Sequence, residues 1–184
     1  MYAKPSIEHN NEWTMEATEN RLHEIKNILR RPVEIANGLF NSGFSGVTYT
    51  FPEDLIDASA NLKQKLNYFE FFRADIHVKI VFNATPFQQG KYWVFFSPYD
   101  SVSGRGNTGT IQNATGYPGV EIDIANGSPV ELKIPFCAPV SHYRLTNGEG
   151  QMGELKIVEI TNLSSGTTID SAAFTVLRGL RTSN

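Results

Sequence analysis

Residues 71–83, FFRADIHVKIVFN, alternate with a period of two. Ile76, Val78, Ile80 and Phe82 share one face, and Asp75, His77, Lys79 and Val81 the other. Side chains of a strand point to opposite faces in turn, so the pattern predicts a half-buried β-strand and commits the chain to a sheet. Just downstream, KYWVFFSP is apolar on both faces, with Tyr92, Val94 and Phe96 opposite Trp93 and Phe95. Such a strand needs cover on both sides, from a second element or from another subunit. More strand patterns follow in VEIDI, PVELKIPF, GELKIVEI and SAAFTVLRGL, divided by Gly, Pro and Asn turns. In GELKIVEI, Leu155 and Ile157 give way to Val158 and Ile160, a change of face that predicts a bulge or twist. With GVTYTF upstream, eight strands are expected, at about 46–51, 71–83, 91–97, 119–124, 129–136, 141–146, 154–162 and 171–179. This is an all-β sandwich pattern; eight antiparallel strands fit a jelly roll, although number alone does not fix the connectivity.

The helical signals are few. Leu22, Ile25, Ile28 and Leu29 form one apolar stripe, with Glu16, Glu19 and Glu24 early and Lys26, Arg30 and Arg31 late. These charges complement a helix dipole, and Pro32 stops the element, which predicts an amphipathic helix over 15–31. Pro52 suits the first position of a second helix, with Glu53 and Asp54 in its acidic first turn and Leu55, Ile56, Leu62 and Leu66 buried. Between them, residues 37–46 (NGLFNSGFSG) read as a Gly/Asn/Ser loop holding two phenylalanines. Residues 101–119 form a long Gly/Ser/Thr/Asn loop of the kind that is usually functional or mobile. The division expected is an arm and short helix at 1–36, then one sandwich domain over 37–184.

Composition excludes several classes. Apolar residues make up 40% of the 184 and the net charge is −3, which is incompatible with intrinsic disorder. A chain this long buries roughly 70% of its unfolded surface and needs no disulfide or metal staple. Cys137 is the single cysteine, so no internal disulfide is expected. No apolar run of membrane-spanning length and no signal pattern is present, so the expectation is a soluble, non-secreted chain without a membrane anchor. The near-neutral charge argues against a stand-alone nucleic-acid binder.

No feature reaches the threshold for catalysis. His9, His23, His77 and His142 are scattered, without HxH, HExxH or CxxC spacing. Cys137 lies five residues before His142, a conceivable nucleophile and base, but PFCAP fits an inert buried thiol with a raised pKa. Gly43-Phe-Ser-Gly46 falls one residue short of a nucleophile elbow, and SGRGNTG lacks the Gly-Lys of a P-loop. Sequons at Asn83, Asn113 and Asn162 matter only on a secretory route. No catalytic, cofactor-binding or metal-ligating residue is therefore assigned, and no cofactor is expected. More informative are the aromatics: Trp13, Tyr68, Phe69, Phe71, Phe72, Phe87, Tyr92, Trp93, Phe95, Phe96 and Tyr99 exceed what one small sandwich core encloses. About half belong in the core, and the surplus suits contacts between subunits.

The stretch NYFEFFRADIHVKIVFNATPFQQGKYWVFFSPYD resembles the strand C to strand D segment of picorna-like virus capsid proteins, carried by Phe72, Arg73, Ala74, Asp75, Asn83, Ala84, Phe87, Gln88, Gln89, Gly90 and Pro98. YPGVEIDIANGSPVELKIPFCAPVSHY is similar to a second family segment through Tyr117, Pro118, Asp123, Ser128, Val130, Glu131, Leu132, Ile134, Pro135 and Phe136. HEIKNILRRPVEI resembles the Ile-Leu-x-Arg-Pro segment before strand B in dicistroviruses and iflaviruses, and GELKIVEITNL the penultimate strand. The resemblance implies an eight-stranded antiparallel jelly-roll sandwich of the viral coat type, with BIDG and CHEF sheets face to face. It also implies a structural role in an icosahedral virion around positive-strand RNA, built with sister capsid proteins as hetero-oligomeric protomers and pentamers, and assembly in the host cell cytoplasm. The Arg-Ala-Asp variant and the Ile-Leu-x-Arg-Pro segment together resemble the subunit class near the threefold and twofold axes, called VP-two in picornaviruses. Packaged RNA is expected to be touched only weakly or indirectly, because the arm has Lys4 against Glu8, Glu12, Glu16 and Glu19. The host receptor stays unassigned. The Asp-Asp-Phe maturation motif is absent, so no catalytic residue carries over. The alternative function is a cellular lectin-like module using loop 101–119 for its ligand.

Overall fold

The computed structural model describes residues 25–99, 111–166 and 171–181. Within them the first helix occupies α1 (Ile25–Arg30), ending two residues before Pro32; the rest of the helix expected over 15–31 lies outside the described residues. The chain then enters β1 (Val33–Asn41), turns, and continues as β2 (Val47–Phe51). The loop expected at 37–46 is thus a strand as far as Asn41, and β1 runs across the expected junction between residues 36 and 37. Tertiary pairing overrides the weak local propensity here: Gly38 lies where a Cβ would stand 2.6 Å from the Phe174 ring, so only glycine lets the strand approach.

The second helix divides into α2 (Glu53–Asp57) and α3 (Ala60–Leu66), broken at Ala58-Ser59, with Pro52 as the residue before the first turn rather than within it. Leu55, Ile56, Leu62 and Leu66 are buried as expected. The long period-two segment is also interrupted. A two-residue β3 (Phe71–Phe72) precedes β4 (Asp75–Asn83), whose Ile76, Val78, Ile80 and Phe82 face the interior. Each such side chain contributes about 1.5–3 kcal/mol by leaving water. Then come β5 (Gln88–Pro98), α4 (Ile111–Ala114), β6 (Gly119–Asp123) and β7 (Val130–Ile134). The strand expected at 141–146 shrinks to β8 (Tyr143–Arg144), because the chain turns back at once, with Arg144 N–H donating to Glu149 O at 2.8 Å. The series closes with β9 (Gly153–Ser165) and β10 (Ser171–Arg181).

Eight of these strands form two four-stranded antiparallel sheets, β1-β10-β4-β7 and β2-β9-β5-β6, while β3 and β8 pair separately. Lettered B to I in chain order, the sheets read B-I-D-G and C-H-E-F, which is the jelly-roll connection. On this count β4 and β5 are strands D and E. The segment compared above with strands C to D is one strand later than expected, since the undetected β1 is strand B. A bulge is present but later than the change of face expected in GELKIVEI: the β5–β9 register runs unbroken through Ile157 and Val158 and shifts between Lys91 and Tyr92, opposite Thr161 and Glu159.

Between the sheets lies one core. Phe40 stacks on Tyr92 at 4.1 Å and on Phe174 at 4.4 Å, with Phe44 edge-on, tying strands B, E and I together. The outer face of β5 is covered from within the chain. Phe95 is fully buried and stacks on Tyr117 at 5.7 Å, and Trp93 Nε1 donates to Ala114 O at 3.2 Å. The two-faced apolar strand therefore owes its second cover to residues 111–119 rather than to another subunit. Trp93→Phe is expected to cost about 1 kcal/mol by removing one of the two hydrogen bonds to that carbonyl, which keeps the Tyr117 N–H at 3.2 Å. Urea unfolding should show the loss, and amide exchange should quicken within 111–117; unchanged exchange there would mean that the indole does not hold the segment.

Candidate interaction surface

Three of the aromatics that the core leaves out, Tyr68, Phe69 and Phe71, lie on or just before the ribbon of β3 and β8, whereas exposed Phe87 and Tyr99 flank β5. In its antiparallel register Phe72 opposes Tyr143 and Phe71 opposes Arg144, so the first pair turns inward and the second outward. Phe72 and Tyr143 are buried; burial raises the Tyr143 phenol pKa, with Glu53 and Asp57 adding to the shift. Phe71 is 53% exposed, Phe69 47% and Tyr68 91%, the largest exposure among the big apolar side chains described. The segment leaves α3 through a turn closed by Phe69 N–H on Leu66 O, and Leu145 N–H then holds Glu70 O at 2.9 Å.

Charges fix the rim. Arg144 lies 5.6 Å over the Phe71 ring and pairs with Glu70 at 3.3 Å and Glu149 at 3.6 Å. Arg73 donates to Ser141 O at 3.1 Å and stands 5.1 Å over Phe136, joining the two sequence-distant segments a second time. Phe71 and Val140 line a shared hollow of about 270 Å³ with His142, Arg144 and Glu149. Exposed rings beside a polar rim have the character of a protein-binding surface, and Phe71, held by Arg144 and His142, is ordered before a partner arrives. Sequence reading singled out 68–72 but not its partners Val140, Arg144 and Glu149. The available signal was Gly148 and Gly150, whose positive φ values of 72° and 96° mark the tight turn that folds 140–150 back.

The remaining sequence candidates do not converge. His142 sits beside Ser141 Oγ at 3.0 Å and the Phe71 ring at 6.1 Å, whereas the Cys137 thiol has its pKa raised by burial. A thiol so shifted is a poor nucleophile at neutral pH. His77 stands on the outward face of β4, in register with Lys133 and Gly179. Gly43 to Gly46 is the turn between β1 and β2. Among the described residues no group of three His, Cys, Asp or Glu side chains could hold a metal ion, and no helix is long and apolar enough to cross a membrane. Of loop 101–119, residues 101–110 lie outside the described residues, as do Trp13, His9 and His23; the remainder covers β5.

The family model described as picornavirus capsid protein matches residues 32–160. The structural polyprotein of Cricket paralysis virus is 34% identical over 156 residues, covering 81% of this chain, and that of Acute bee paralysis virus is 33% identical over 133 residues. The chain spans only 17% and 14% of the lengths of these two relatives. Among solved structures, a chain of the native virion of Kashmir bee virus at neutral pH is 26% identical with a TM-score of 0.78, covering 98% of this chain and 81% of that one. A chain of the Israel acute Paralysis Virus pentamer is 28% identical with a TM-score of 0.76, covering 86% of this chain and 92% of that one.

Proposed function

The chain belongs to the picornavirus capsid protein family, and from that premise we propose that it is a structural coat subunit which co-assembles with sister coat chains into an icosahedral shell around a positive-strand RNA genome. The observation that carries this reading is the B-I-D-G and C-H-E-F topology, shared along nearly the whole chain with a subunit of a solved virion. The exposed aromatic surface at 68–71 supplies a contact that such a subunit needs, because coat interfaces are large and apolar at their centres. We assign the subunit to the VP-two class, with residence in the virion and assembly in the host cell cytoplasm. Residues 1–36 are read as arm and helix ahead of the shell domain. No catalytic step is assigned to Cys137 or His142, and the lectin-like alternative is not favoured by the family match.

Sedimentation with negative-stain microscopy on the native source, following this chain by mass spectrometry, tests the reading. The expected result is co-migration with other coat-sized chains in RNA-containing icosahedral particles. A small, RNA-free soluble species would overturn it.

A further inference from the structure

The acidic arm offers RNA little, yet the folded chain collects cations on one sheet face. Helix α1 crosses the outward face of the β1-β10-β4-β7 sheet, where an added Cβ on Gly179 would stand 3.2 Å from Arg30 O. The missing side chain lets the helix end settle on the strand and leaves a groove of about 280 Å³ beside it. Arg30 and Pro32 form one wall, Lys133 of β7 contributes to the other, and Leu177, His77 and Lys79 lie between. Gly179, His77 and Lys133 share one register across β10, β4 and β7; two strand spacings make the strip about 10 Å wide.

Charge is concentrated there. Lys79 is matched by Glu131 at 3.1 Å, while Arg30 and Lys133 are exposed. Beneath the floor, on the inward face of β10, Arg178 is only 2% exposed, and its Nε and Nη2 have no hydrogen-bond partner among the described residues. Burial lowers its pKa to about 10, which leaves it charged at neutral pH. A cation in a low-dielectric interior is screened little, so its field adds to that of the exposed pair above. This region is positive in a chain whose net charge is −3. Apolar Leu177 between the cations, with Pro32 on the wall of α1, favours a ligand with both phosphates and flat apolar bases.

Resting on the coat-subunit reading, we infer that the groove between α1 and strands β10, β4 and β7 binds the phosphate backbone of single-stranded RNA, with Arg30 and Lys133 as the contacting cations. Each groove contributes modestly, and a shell that repeats it multiplies the effect through multivalency.

The test uses the full chain and a fluorescent 20-nucleotide poly(U), read by anisotropy across a salt series. Arg30→Glu with Lys133→Glu should weaken binding by about 10- to 100-fold at low salt and flatten the log–log salt dependence by about 1.4, two contacts at roughly 0.7 each on a single strand. Arg30→Gln with Lys133→Gln should give a smaller loss in the same direction, guarding against misfolding of the reversal, and Lys65→Glu on α3 should change neither quantity. Equal affinity and slope in both groove variants would overturn the inference, as would a parent chain that does not bind poly(U). Ultraviolet cross-linking of intact particles gives a second readout, with RNA expected on peptides containing Arg30 and Lys133. RNA cross-links confined to other peptides, or carbodiimide cross-links joining Lys133 to carboxylates of residues 8–24 in place of RNA, would assign the groove elsewhere. Loss of poly(U) binding in the variants of a chain that never enters particles would sink the coat reading and leave the groove standing.

Discussion

Phe40→Ala is expected to destabilise the chain by about 3–5 kcal/mol, the range for removing a fully buried phenylalanine. Phe40 is 0% exposed and contacts three rings at once: Tyr92, Phe174 and Phe44. It joins strand B to its neighbour strand I and, across the sandwich, to strand E, so its loss opens a cavity where the sheets are held together. Domains of this kind have about 5–15 kcal/mol in total, so the variant should stand near the edge of folding. Urea unfolding followed by far-ultraviolet circular dichroism would measure the change. Phe40→Leu keeps much of the volume and should lose clearly less. A cost below about 1 kcal/mol for the alanine variant would mean that the ring stack does not organise the core.

Tyr68→Asp combined with Phe71→Asp is expected to leave folding nearly intact and abolish incorporation into particles. Both side chains are more than half exposed, so their change should alter stability by about 0.5 kcal/mol or less. At an interface the same positions would bury two carboxylates against apolar surface, and two anchors worth about 2 kcal/mol each imply a loss approaching 1,000-fold in association. Sedimentation of the variant with its sister chains should find it in the soluble fraction with an unchanged urea midpoint. Because Phe71 also touches Arg144, Tyr68→Asp alone is the cleaner variant and should give a partial defect. Normal incorporation of the double variant would remove this surface from the list of shell contacts.

Much of the architecture was legible because it depends on local periodicity. Alternation in 71–83 and the strand patterns at 91–97, 154–162 and 171–179 each marked a real strand, with ends displaced by a few residues. The buried set of the second helix was also readable, although its break at Ala58-Ser59 was not. Strand B was missed for a definite reason. Asn37, Gly38 and Asn41 are turn formers by local preference, and only pairing with β10 makes them a strand. That omission moved the strand lettering by one. The strand read at 141–146 failed in the opposite sense: a period-two fragment had only Phe71 and Phe72 to pair with.

The aromatic surplus was countable from the chain, but which rings were inside and which outside was not. Phe95 and Phe71 are both phenylalanines next to a second phenylalanine; one is fully buried under residues 111–119 and the other half exposed beside 140–149. Similarly, Arg30, His77 and Lys133 are scattered along the chain and become a basic strip only when α1, β4 and β7 share a sheet face. By itself, then, the sequence determined the elements with a strong repeat, the fold class and the family, because these depend on neighbours along the chain. Tertiary structure alone decided the covering of β5, the exposed surface at 68–71 and the charged groove, because each depends on residues tens of positions apart meeting through sheet register.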